Sequence, residues 1–142
     1  TVEHLLPENL TVQHLNVMGK VAKALGRNQW VNRWQATQVN LAIEKFQADV
    51  VISCNAEYVS RFIKHPNVYH WVHGVITGSK PRVLKDLCRF YENAQLICVA
   101  QAIADDIKAL GIQPRRCEVI YNPFDVQKIQ QLAQAYPVLL CT

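Results

Sequence analysis

One stretch limits what this chain can become: residues 98–125, CVAQAIADDIKALGIQPRRCEVIYNPFD. An apolar run, Leu96-Ile97-Cys98-Val99, gives way to Ile103, Ile107 and Leu110 at helical spacing. Gly111 stands where a helix usually ends in the left-handed conformation, and Pro114 follows just beyond. A second apolar run, Val119-Ile120-Tyr121, then breaks at Asn122-Pro123. Strand, helix and strand in so short a span form a βαβ unit. Its two strands must run parallel, because the crossover returns the chain to the same end of the sheet.

The same alternation runs through the rest of the chain. Residues 10–16 alternate apolar and polar like a strand exposed on one face, and Val17, Val21, Ala24 and Leu25 follow with helical spacing up to Gly26. The pattern predicts a helix over residues 29–47, with Val39, Ala42, Ile43 and Phe46 as its buried stripe, then a continuous apolar strand over 49–54. Asn55 is placed to cap a helix running to about residue 64, closed by His65-Pro66-Asn67. The next strand covers residues 68–73 and stops at Gly74; Pro81 then opens a helix with Val83, Leu84, Leu87, Phe90 and Tyr91 on its apolar face. After the βαβ unit, Asp125 is placed to cap a last helix carrying Ile129, Leu132, Ala133 and Tyr136 on one side, ended by Pro137. The expected fold class is therefore α/β: a doubly wound, mostly parallel sheet with helices on both faces.

The chain has 142 residues, half of them hydrophobic, which suits one core and one domain, here residues 1–137 with 138–142 opening a connection. It has no initiator Met and no tripartite leader pattern, so it reads as a soluble piece of something larger. Cys54, Cys88, Cys98, Cys117 and Cys141 contain no C-x-x-C pair and lie mostly in apolar runs. That favours buried free thiols in a reducing compartment over a disulfide framework or a zinc site. No P-loop and no G-x-G-x-x-G is present.

The order of residues 97–125 resembles the last βαβ of the N-terminal domain in family 4 glycosyltransferases of the GT-B fold. In that family a strand reading V-S-x-A-I-x-x-D-L, a Gly-Ile turn and V-I-x-N-P/G-x-D recur, and the likeness extends back through His73-Gly74 to about residue 10. Ala100 stands where the family usually has Ser, a natural helix cap, so Gln101 or a water would have to satisfy those amides. The resemblance implies a Rossmann-like acceptor-side domain that starts inside its fold, lacking the first βα unit, with the nucleotide-sugar domain following it. It also implies a retaining transferase that moves a hexose from a nucleotide sugar to a lipid-linked or bacterial cell-envelope saccharide of lipopolysaccharide or capsule type. Such an enzyme calls for no metal and no cofactor, and this chain alone would be inactive.

The site residues follow from strand ends. Ligands of open α/β sheets bind at the carboxyl ends of the strands, where His73, Gly74, Asn55 and Asn122 fall. In the family resembled, the His-Gly contacts the transferred sugar or its phosphate. Apart from the resemblance, His73 also reads as an imidazole bonded to a loop carbonyl, Asn55 as a helix cap and Asn122 as a turn residue. His70 and His73 leave opposite faces of a strand and make a poor metal pair. Asp105 and Asp106 are explained by the positive end of their helix dipole.

The net charge of +4 comes from one segment: residues 9–43 hold no Asp or Glu but carry Lys20, Lys23, Arg27 and Arg33. On a continuous helix Lys20, Lys23, Arg27, Trp30 and Trp34 would form one cationic stripe ending in two indoles, suited to an anionic membrane surface on the cytoplasmic side. The competing arrangement turns both indoles into the core. A non-catalytic Rossmann-like ligand-binding module is the alternative function. Nucleic acid is not an expected partner, since no recognition motif accompanies the charge.

Overall fold

The computed structural model describes residues 28–123 and 126–135. Its elements run α1 (Gln29–Phe46), β1 (Val51–Cys54), α2 (Glu57–Ser60), β2 (Val68–Val72), α3 (Pro81–Tyr91), β3 (Gln95–Cys98), α4 (Gln101–Ala109), β4 (Arg116–Val119) and α5 (Val126–Ala135). The four strands form one sheet in the order β1-β2-β3-β4, every pair parallel. The Rossmann-like α/β class read from the sequence is thus the observed one. The expected residues 10–16 strand, the 17–25 helix, the Asp125 cap, Tyr136 and Cys141 lie outside the described residues.

Because the strands follow each other across the sheet in chain order, crossovers of the usual right hand would lay their helices on one face. The core reflects this. His70, Val72, Leu96 and Cys98 point to that face and are buried, and they meet Ile76, Tyr91, Ile103, Ile107 and Ile112 from the loop and helices above. Burying each such aliphatic side chain contributes about 1.5–3 kcal/mol. On the opposite face Trp71 and Ile97 are half-buried and Ile52 is exposed.

The α4 end is built as the sequence implied. Gly111 sits at φ 74, Gly111 N–H donates to Lys108 at 3.0 Å, and Ile112 N–H donates to Ile107 at 3.3 Å. This is a Schellman closure with its apolar pair, Ile107 and Ile112, inside the core.

Three boundaries differ from the reading above. The helix after Asn55 ends at Ser60, not near residue 64, because Asn40 of α1 takes over: its amide donates to the Phe62 carbonyl and its oxygen accepts from Lys64 N–H. Asn55 does not cap that helix; Ala56 holds the cap position without a side-chain bond, and Asn55 adopts φ 53. The last strand is Arg116–Val119, not residues 119–121, since backbone register with β3 and not hydrophobicity fixes it. Phe46, assigned to a buried stripe, is exposed, and so is Ile129.

Candidate functional site

The carboxyl ends of β1, β2 and β4 deliver Asn55, His73 and Asn122 to one end of the sheet. Asn55 directly follows β1 and is exposed, His73 directly follows β2 and is exposed, and Asn122 lies three residues past β4, half-buried. β1 and β2 are adjacent, while β4 stands two places from β2, roughly 10 Å away at normal strand spacing. His73 and Asn55 are therefore the closer pair.

His73 stacks on Trp71, ring centroids 5.4 Å apart and planes 20° from parallel. Positions two apart share a strand face, so both rings lie on the face opposite the core helices. His70 is the contrary case. It is buried near Tyr91, with Nδ1 3.4 Å from Ser60 Oγ, and burial pushes its pKa down against the opposing charge of Glu57. The two imidazoles thus occupy opposite faces. Among the described residues no three His, Cys, Asp or Glu side chains converge as metal ligands.

The segment from His73 to Thr77 is held at both ends. Val72 and Ile76 are buried, leaving His73-Gly74-Val75 as an exposed arch between two anchors. Asp106 of α4 closes it: one carboxylate oxygen accepts from Ile76 N–H at 2.7 Å and Thr77 N–H at 3.2 Å, the other from the Thr77 hydroxyl at 2.6 Å. These bonds, the Thr77 hydroxyl first, hold the Asp106 carboxyl below its ordinary pKa. The dipole explanation of Asp106 is corrected accordingly: its partners lie 29 and 30 residues away, where sequence spacing cannot show them. The available hint is the doubling itself, since adjacent residues on a helix face different ways. Asp105 instead accepts from the Gln101 amide at 3.0 Å.

Gly74 does not have positive φ, and a Cβ placed on it would meet nothing within 4 Å. The chain's own packing does not need glycine there. Beside the arch, α3 and α4 follow Lys80 and Ala100 without side-chain caps; α3 opens on Pro81, which has no N–H, while the first amides of α4 have no side-chain partner at this end of the sheet. Gln101, a candidate for that task at α4, is committed to Asp105.

The cationic stripe is not one continuous helix. Asn28 is extended and caps α1, accepting from Trp30 N–H at 2.9 Å. Lys20, Lys23 and Arg27 lie outside the described residues, while Trp30 and Trp34 are 78% and 43% exposed and so are not turned into the core. Nor are the thiols uniformly buried. Cys98 is, with a pKa pushed up to about 12 chiefly by burial and then by Cys117, whose sulfur is 3.7 Å away; Cys54 and Cys117 are exposed.

A family model described as Glycosyltransferase Family 4 matches residues 4–128, most of the chain and both ends of the sheet. No curated protein and no solved structure was found to match it.

Proposed function

The chain belongs to glycosyltransferase family 4, and we propose that it is the acceptor-side domain of a retaining enzyme that transfers a hexose from a nucleotide sugar to a lipid-linked or cell-envelope saccharide. The observation that carries this is the His73-Gly74-Val75 arch: exposed, at the carboxyl end of a parallel sheet, and fixed from beneath by Asp106. Preorganised geometry of this kind suits orienting one hydroxyl of a saccharide. The His73 imidazole supplies a donor or acceptor to that hydroxyl or to the transferred sugar's phosphate, and Gly74 lets either approach the backbone. Asn55 and Asn122 add amide groups at the same end. The open first amides of α4 favour an anionic group there.

The groups that neutralise the leaving diphosphate belong to the nucleotide-sugar domain, so this chain alone binds acceptor and does not transfer. NMR titration tests the reading: a saccharide acceptor shifts His73, Gly74 and Asn55, whereas a nucleotide sugar shifts them little. Transferase activity in this chain by itself contradicts the assignment.

An anionic membrane surface is the second proposed contact, at the cytoplasmic face. No described helix is long and apolar enough to cross a membrane, and Trp30 and Trp34 are exposed at the start of α1. Vesicle flotation with Lys20, Lys23 and Arg27 changed to Gln decides it: undiminished binding removes the proposal.

A further inference from the structure

We propose that the pocket at the amino end of the sheet, opposite the His73 arch, binds a small phosphate-type oxyanion between Arg61 and Arg115. The pocket, about 290 Å³, is formed where the chain enters its strands: Arg61 and His65 lie ahead of β2, Asn93 ahead of β3 and Arg115 ahead of β4. That volume would hold roughly ten waters at ~30 Å³ each, enough for a phosphate or pyrophosphate.

Its lining includes two arginines and two histidines but no Asp or Glu, the nearest acidic influence being Glu57 acting on His70. Among the described residues neither arginine has a carboxylate partner, whereas Arg116, one residue on, is paired with Glu118 at 2.9 Å. Arg61 is nonetheless held in place: its guanidinium lies 4.4 Å from the Phe62 ring centroid and 5.4 Å from that of Phe90. Two stacked rings restrict its rotamers without neutralising it, which is the preparation a planar fork needs to meet an oxyanion. The floor is polar as well. Ser60 and His70 are 4% and 7% exposed and both line the cavity. His65 Nδ1 accepts from Asn67 N–H, which leaves the proton on Nε2 and makes that nitrogen a donor.

Charge-assisted bonds to a phosphate oxygen are the strongest available to these groups. The site uses none of the residues assigned to glycosyl transfer, so it stands or falls apart from that reading.

Calorimetric titration of the full chain with inorganic pyrophosphate at low ionic strength tests the site. A saturable one-to-one isotherm is expected, weakened at least about tenfold by Arg61→Gln and by Arg115→Gln, and changed less than about twofold by Arg82→Gln, which removes a charge elsewhere. Arg115→Gln removes no described packing contact, so its result stands even where Arg61→Gln unfolds; circular dichroism checks each fold. Vesicles containing phosphatidic acid form the second arm. Vesicle binding that Arg115→Gln abolishes, with no binding of free pyrophosphate, assigns the site to a lipid headgroup; competition by free pyrophosphate assigns it to a soluble oxyanion. Wild-type affinity for both probes in Arg115→Gln, an equal loss in Arg82→Gln, or no saturable binding of either probe overturns the site.

Discussion

The two ends of the sheet are made by the same four strands yet differ in what fixes them. At the carboxyl end, a loop is tied by one anion: Asp106 gathers two backbone N–H groups and a hydroxyl, and so leaves His73 standing clear. At the amino end, two arginines line one pocket whose lining holds no Asp or Glu, and aromatic rings orient Arg61. One end has its charge already satisfied by the protein, and the other has charge to spare. The difference teaches that ordering and neutralisation are separable, and that a ligand can be expected to supply whichever of the two the protein omits.

The largest expected effect comes from the anchor beneath the arch. Ile76→Ala removes a nearly fully buried side chain from the core, so a loss of about 2–4 kcal/mol is expected in chemical denaturation. Hydrogen exchange should rise first in the loop before α3 and leave the amino end protected. Uniform loosening of both ends would erase the contrast.

Asp106→Asn keeps the shape but weakens three bonds to the carboxylate, for which about 1 kcal/mol is expected in global stability. Exchange protection at the Ile76 and Thr77 amides should fall more than protection anywhere at the amino end.

Acid should separate the ends in order. His70, packed against Ser60 and Glu57 of α2 and Tyr91 of α3, has a pKa below 6.5 when folded. Its contribution is complete above the unfolded value and is lost as pH falls from there through the folded one. Asp106, also lowered, contributes above its unfolded value of 3.8 and loses its hold as pH falls through its folded pKa. The His70 ring signals followed downward in pH should therefore change before the Ile76 and Thr77 amide signals, which respond as Asp106 takes up its proton; the reverse order contradicts the account.

The smallest expected effect on the fold is Gly74→Ala, within about 0.5 kcal/mol, because the added methyl meets nothing. Acceptor affinity should nonetheless drop. A variant that loses stability but keeps its affinity would make Gly74 a backbone residue and not a binding one.

What the sequence revealed divides along the same physical line. The helices at Gln29–Phe46 and Pro81–Tyr91 were legible because periodicity, Pro81 at the first turn and their closing residues are local signals. Gly111 was legible for the same reason. The bounds of the short helix α2 and of strand β4 were not: Asn40 ends the first from more than 20 residues away, and the second is an edge strand among the described residues with Arg116, Cys117 and Glu118 all exposed, so their pairing leaves no hydrophobic trace. At the site, strand ends placed His73, while the bond from Asp106 to Thr77 needed the fold. The amino-end pocket was invisible altogether, since its residues come from three separate connections.

The most direct measurement is an NMR titration of the chain with a lipid-linked or cell-envelope saccharide, following His73, Gly74 and the Ile76 and Thr77 amides. The account predicts saturable shifts at His73 and Gly74, with the Ile76 and Thr77 amides still protected by Asp106. Saturable shifts confined to Arg61, His65 and Arg115, with the arch unchanged, would contradict it.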